Sequence, residues 1–266
     1  MEILPAYDKM SSVDCDAMRN KNIITKLRAG ENNHILKRFL YNKHIKLIAG
    51  SVFLLILLVV NCVLYFSEAI KPDDDFVVVI DPGHGGNDPG KVGTSNVKEK
   101  DVNLAIALKL RDSLEERGVK VVLTRENDTN LATPGATNKK TSDMNNRVEL
   151  INESRADILI SIHQNSYPDA SVKGAQVFYH GTSEESRKLA ETLQSALISE
   201  VDPDNNRAAK EGNDYFILRK STCPGVIIEC GFLSCPEETA KLVDEEYQEK
   251  LAETIAESVC RLYGVK

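Results

Sequence analysis

Apolar residues in this chain fall into one long run and several short ones. The long run, Leu47 to Phe66 (LIAGSVFLLILLVVNCVLYF), carries no charge over about 20 residues, enough for a helix to cross a hydrocarbon layer of ~30 Å. Its polar residues, Ser51 and Asn61, do not make the stripe that a buried core helix would show. The short runs start at Phe76. Phe76-Val77-Val78-Val79-Ile80 has β-branched residues at four of five positions and stops at Asp81-Pro82-Gly83, the pattern of a buried strand ending in a turn. Val119–Thr124, Ala156–His163, Gly174–Tyr179 and Val226–Cys230 read the same way, and Tyr215–Leu218 reads as a further short strand.

Helical periods lie between these strands. Val102, Ile106, Leu110 and Leu114 recur at i+4 and predict a helix capped by Asp101, running to about Arg117 and ended by Gly118. A short helix is predicted around Met144–Glu153, another over Glu184–Glu200, and a last one over Tyr247–Tyr263 with Leu251, Ile255, Val259 and Leu262 on one side. Asn127–Ser142, rich in Thr, Asn, Gly and Lys, reads as an exposed loop. Alternating strands and helices predict a single α/β domain: a mostly parallel or mixed sheet covered by helices on both faces, preceded by one N-terminal transmembrane helix. The predicted layout is a cytoplasmic tail with a basic collar (1–46), a membrane-spanning signal anchor (47–66), a solvated linker (67–75) and a folded domain (76–266).

Charge supports that division. The formal net charge of −7 argues against nucleic acid as a partner, since no basic surface is available to replace phosphate counterions. Residues 1–46 hold 9 Lys and Arg against 5 Asp and Glu, whereas 76–266 hold 23 against 31. Lys37, Arg38, Lys43 and Lys46 precede the long apolar run, while Glu68 and Asp73–Asp75 follow it. The positive-inside rule then predicts a single-pass protein of the cell membrane, its N-terminus cytoplasmic and its folded domain outside. The run is long and no small-x-small cleavage site follows it, which favours an anchor over a cleaved signal peptide. Cys223, Cys230, Cys235 and Cys260 fall on the outer side. Their even number permits disulfides, but there is no CxxC pair, and buried packing is the expected role.

Candidate chemistry collects at strand ends. Two strands end in histidine, at His84 and His163, and one in Glu229; Glu99 stands where the first helix of the domain begins. A buried carboxylate within Val226-Ile227-Ile228-Glu229 needs a partner or a metal. Two imidazoles and a carboxylate make a three-ligand zinc site with a free fourth position for water, and a second carboxylate beside that water would serve as general base.

These residues stand in motifs that resemble a known family. Asp81-Pro82-Gly83-His84-Gly85-Gly86, then Glu99, then Ser161-Ile162-His163-Gln164-Asn165, then Glu229-Cys230-Gly231-Phe232-Leu233-Ser234 are similar, in order, to the motifs of zinc-dependent N-acetylmuramoyl-L-alanine amidases. Thr124-Arg125, Asp128, Ala156-Asp157 and Tyr215-Phe216-Ile217-Leu218-Arg219 agree as well. The resemblance covers the chain from about Phe76 to Tyr263, and the membrane anchor with a compact domain is the layout of the spore-cortex amidases of endospore formers. It implies that His84, Glu99 and His163 hold Zn2+ and that Glu229 is the catalytic carboxylate. It implies further that Asp81 and Asn165 orient the site, a turn bond within its own loop being the alternative for Asp81, and that Arg207 lies near the substrate or behind the site.

The substrate implied is peptidoglycan, cut between N-acetylmuramic acid and L-alanine; in spore cortex that cut would prepare muramic δ-lactam formation. Two departures bear on the site: Arg207-Ala208 stands where many relatives have Arg-Gly, and Cys230 follows the catalytic Glu. With Glu229 facing the cleft, strand alternation turns Cys230 into the core rather than making it a nucleophile. The segment Asn127–Asn146 is too short for the inhibitory helix of division-associated relatives, and His34, His44 and His180 are not expected to be ligands. The alternatives are a peptidoglycan-binding or regulatory protein that keeps the fold without catalysis, and a different zinc hydrolase such as a stem peptidase. An activating protein partner that loads zinc or substrate is compatible with the first reading. Alkaline extraction of membranes should leave the full chain in the pellet; recovery in the soluble fraction would remove the anchor.

Overall fold

The computed structural model describes residues 41–61 and 75–265, together with His34, Lys37 and Arg38. The chain divides into two bodies. The first is the helix α1 (Tyr41–Asn61), long and apolar enough to cross a membrane. It starts within the basic collar rather than after it, and residues 62–66 of the predicted span lie outside the described residues, as do 67–74 and most of the tail. Its polar residues serve their own backbone: Ser51 Oγ donates to Leu47 O at 2.9 Å and Asn61 Nδ2 to Leu57 O at 3.0 Å, so neither leaves an unmet donor in an apolar surrounding.

The second body is the predicted α/β domain. Its sheet has six strands in the order β2-β1-β3-β6-β4-β5: β1 (Val77–Pro82), β2 (Lys120–Leu123), β3 (Ile158–Asn165), β4 (Gln176–Tyr179), β5 (Lys210–Glu211) and β6 (Gly225–Phe232). Pairs β2–β1, β1–β3 and β3–β6 are parallel, β4 runs antiparallel to β6, and β5 is parallel to β4. The central strands are covered on both faces, which is why they read as continuous apolar runs. On one face α2 (Glu99–Glu115), α4 (Glu184–Ala196) and α7 (Glu245–Tyr263) pack Ile106, Leu110, Leu193 and Ile255 against Ile80, Ile160 and Ile228. On the other, α3 (Lys139–Glu153) and α5 (Phe216–Lys220) set Ile151, Ile217 and Leu218 against Val79, Leu159 and Ile227. The short helix α6 (Pro236–Leu242) follows β6.

Several predicted boundaries are corrected. Tyr215–Leu218 is not a strand: Ile217 and Leu218 are successive residues buried in the same cluster, which a helical turn allows and the two-sided alternation of a strand does not. α2 begins at Glu99, before Asp101, and has no side-chain cap. The preceding loop folds back instead, so that Glu99 N donates to Lys91 O and Lys100 N to Pro89 O, serving first-turn donors that a cap would otherwise serve. α3 starts at Lys139 behind an Asn138 cap that accepts from Thr141 N, and so takes up the end of the predicted loop. α4 stops at Ala196 and yields to a π-turn over Leu197–Val201.

A buried ion pair lies beneath the end of β1. Asp81 (2% exposed) accepts from Arg147 Nη1 of α3 at 2.7 Å, Thr124 Oγ1 at 2.6 Å and Ser161 Oγ at 2.7 Å, and Arg147 is itself 1% exposed. Burial on its own pushes Asp81 up; Arg147, then the two hydroxyls, outweigh it and hold the carboxyl at about 2 instead of 3.8. Because the folded value lies below the unfolded one, this stabilisation is full above about pH 4 and is lost as pH falls toward 2. Asp81→Asn should cost at most about 3–5 kcal/mol at neutral pH, since it leaves the buried Arg147 guanidinium with Asp143 as its remaining carboxylate. It should also flatten the acid limb of the stability–pH curve in urea unfolding. Equal stability of the two proteins at pH 7 would show that the fold does not depend on this pair.

Candidate metal centre

Three elements bring the site together at the carboxyl edge of the parallel strands, where α/β sheets collect ligands. β1 runs into the loop Pro82–Gly86, where His84, Gly85 and Gly86 take φ of 64°, 134° and 57°. A left-handed histidine is uncommon, and here it turns the ring toward the end of β3. His163 stands on β3, and the two rings lie 5.1 Å apart, nearly perpendicular. From the other side α2 presents Glu99 at its first residue. Glu99 Oε1 is 2.9 Å from His163 Nδ1 and 3.3 Å from His84 Nε2.

The surroundings hold these groups in place. Asp88 Oδ2 lies 2.9 Å from His84 Nδ1; a carboxylate only accepts, so Nδ1 carries the proton and Nε2 is free to ligate. Glu99 Oε2 accepts from Lys91 N at 2.8 Å, and Oε1 also from Gln164 N at 3.2 Å. Burial pushes Glu99 up, but its bonds with His163 and then His84 carry it well below the usual carboxylate range. Two glycines give the rings room. A Cβ on Gly83 would sit 2.1 Å from His163 Cε1, and one on Gly90 2.5 Å from Glu99 Oε2.

The donor set fits a metal ion. One donor atom each from His84, Glu99 and His163 lies within 4.8 Å of the others, and two nitrogens and an oxygen about 2 Å from a common centre are the donors zinc takes in hydrolytic sites. Beside them is Glu229, in register with His163 across the β3–β6 ladder. Glu229 is buried, and its Oε2 has no hydrogen-bond partner among the described residues. Burial raises its pKa, and the charge of Glu99 adds to the rise, against the lowering effect of His163 and His84. A cleft of about 130 Å3 opens at the two histidines, walled by Met144, Tyr215, Phe216 and Ile227.

Residues 78–261 match the family described as N-acetylmuramoyl-L-alanine amidase. The chain belongs to this family. It is 41% identical over 193 residues to the germination-specific N-acetylmuramoyl-L-alanine amidase of Bacillus subtilis, covering 71% of this chain and 81% of that one. The CwlD amidase of Clostridioides difficile, solved in complex with the GerS lipoprotein, is 39% identical with a TM-score of 0.69, over 71% of this chain and 99% of that one. A second N-acetylmuramoyl-L-alanine amidase, from Clostridium difficile 630, is 37% identical with a TM-score of 0.65, over 73% of this chain and 100% of that one.

The amidase fold thus brings His84, Glu99, His163 and Glu229 into one place. Asp81 lies below them, bonded to Thr124, Ser161 and Arg147 rather than within its own turn. Asn165 and Arg207 make no hydrogen bond to the triad. Asn165 Oδ1 accepts from Ser166 N at 2.8 Å. Arg207 lies over the Phe232 ring and reaches Gln176, the register partner of Glu229 on β4. His180 pairs with Thr182 instead. Cys230 turns into the larger core cluster, and burial, then the charge of Glu229, pushes its thiol up to about 12, so it is no nucleophile. Cys223, Cys235 and Cys260 likewise form no disulfide among the described residues.

Among the described residues no helix stands between β2 and α3. Sequence reasoning missed Asp88, two residues past the glycine turn, and Arg147, a charged residue set within the buried stripe of Met144, Val148 and Ile151 on α3. His163→Ala should lower retention of divalent metal by at least about 100-fold, read as metal content after dialysis. Full retention in that variant would place the metal elsewhere.

Proposed function

We propose that the chain is a membrane-anchored zinc amidase that hydrolyses the amide between the lactyl group of N-acetylmuramic acid and L-alanine. The observation that carries this reading is the buried carboxylate oxygen of Glu229, unpartnered beside a two-histidine, one-carboxylate donor set, in a chain of the amidase family. His84, Glu99 and His163 would hold the ion. Bound zinc supplies polarisation of the scissile carbonyl and a water acidified toward pKa ~7.

The protein's own groups do the rest. Glu229 Oε2 takes a proton from the attacking water as its oxygen bonds to the carbonyl carbon, then delivers that proton to the nitrogen as the C–N bond breaks. The raised pKa of Glu229 suits both steps. Asp88 holds the His84 tautomer, Asp81 orients the strand end behind the site, and Arg207 braces the β4 neighbour of Glu229. Tyr215, Phe216 and Met144 form an apolar wall that excludes water from one side of the cleft.

Spore cortex is the proposed peptidoglycan, supported by likeness to a germination-specific amidase; the cut would leave muramic acid free for δ-lactam formation. The helix α1 and its flanking charges support a single-pass protein with its N-terminus in the cytoplasm and its catalytic domain outside. A relative solved with a lipoprotein supports an activating partner on the same side of the membrane. The test is a digest of cortex and vegetative peptidoglycan by the full chain in detergent, analysed by mass spectrometry. Stem peptides with an L-alanine amino terminus are expected, with kcat lower by about 10²–10⁴ in Glu229→Gln while zinc stays bound. Peptides cut within the stem would make it a peptidase, and a zinc-loaded, folded chain without products on either wall would favour the binding-protein reading.

A further inference from the structure

Four carbonyls of the loop that carries His84 are held by cations from three separate places in the chain. Arg147 on α3 donates to Pro82 O at 3.0 Å and His84 O at 2.5 Å. Lys100 on α2 donates to Gly86 O at 2.8 Å. Arg125, just past β2, donates to Pro82 O at 2.9 Å through Nε and to Gly83 O at 3.1 Å through Nη2. All three cations are buried.

Their charge balance differs. Arg147 pairs with Asp81 and Asp143, and Lys100 with Asp128. Arg125 forms no ion pair among the described residues: its hydrogen bonds end on the carbonyls of Pro82, Gly83, Lys100 and Asn127. Burying a guanidinium without a carboxylate is costly, and filling space could be done by an apolar side chain. What only a planar fork can do is reach carbonyls of the β1 loop, α2 and the loop after β2 at once.

The backbone it grips is the strained one. His84 is left-handed, a conformation that disfavours residues with a Cβ and persists only where its surroundings over-determine it. The packing is tight as well: a Cβ on Gly85 would meet Thr129 O at 2.1 Å and Arg125 Cδ at 3.0 Å. Asp128 completes the clamp, accepting from Gly86 N at 2.8 Å while it pairs with Lys100 at 2.6 Å.

We propose that Arg125, with the Lys100–Asp128 pair beside it, is a positioning device that locks Pro82–Gly86 in the course aiming His84 at Glu99 and His163, and so sets the metal affinity of the site. The inference rests on the metal reading given above. It acts through His84, since Arg125 makes no hydrogen bond to the side chains of the triad.

The test is a zinc titration of the metal-stripped full chain in detergent against a competing chelator. Arg125→Lys keeps the charge but cannot span the carbonyls, and should weaken zinc binding about 10–100-fold, with kcat regained at saturating zinc and KM unchanged. Asp128→Ala changes an exposed side chain but leaves Lys100 without its carboxylate; with its unfolding midpoint measured alongside, it should shift the affinity in the same direction. Ile151→Val, in the smaller core cluster, controls for general destabilisation: its unfolding midpoint should drop with zinc affinity unchanged. Wild-type affinity in Asp128→Ala, or in folded Arg125→Lys, would overturn the proposal. A wild-type chain that binds no zinc would remove the metal reading, and the inference with it.

Discussion

The domain depends on charge buried where the sheet hands over to the catalytic loop. Asp81 closes β1 and is shared by Arg147 from α3, Thr124 from the end of β2 and Ser161 from β3. One carboxylate therefore fixes the relative positions of the ends of β1 and β2, the middle of β3 and a helix. Arg147 spends its remaining donors on Asp143, Pro82 O and His84 O, so the interaction that joins the elements also shapes the loop above them. In a low-dielectric interior such a network holds only when every member is satisfied. Among the described residues two buried side-chain oxygens go without a partner, Gln164 Oε1 and Glu229 Oε2. The second stands beside the donor set, where chemistry would use it.

Much of the fold was legible because the elements that carry it have strong periods. β1, β3 and β6 are apolar runs buried on both faces, and the i+4 stripe of α2 packs where its spacing puts it. Legibility failed where packing or backbone, rather than pattern, decides. The stretch Phe216–Lys220 is too short for its apolar residues to tell a strand from a helical turn. The first turn of α3, Lys139-Lys140-Thr141, has no apolar residue to announce it. β5, at Lys210–Glu211, is an exposed edge of two charged residues, invisible to any hydrophobic reading.

The site divides along the same line. His84, His163 and Glu229 are readable because each follows or closes an apolar run, although β3 and β6 continue past theirs to Asn165 and Phe232; Glu99 is readable because it opens a helix, and the family motif agrees on all four. Arg125, Arg147, Lys100 and Asp88 were not read as part of the site. Their partners are largely backbone carbonyls or a neighbouring ring nitrogen, which leave no trace in the residue types that flank them. Asn165 and Arg207 show the converse: standing near the motifs in sequence did not give them a hydrogen bond to the donor set.

His163 and Glu229 face each other as register partners on two central parallel strands. Their separation is thus set by the backbone ladder, at the ~4.8 Å strand spacing every sheet shares, and not by loops. The loop bearing His84 has only a few backbone bonds, Gly83 N to Ile162 O and the Gly85–Asp88 pair, and takes the rest of its support from Arg125, Arg147 and Lys100. Substitutions therefore reach the two parts differently. The meeting of His163 and Glu229 survives changes in the side chains around it, because the ladder sets it, whereas the course of the His84 loop is exposed to single replacements at Arg125, Arg147 or Lys100.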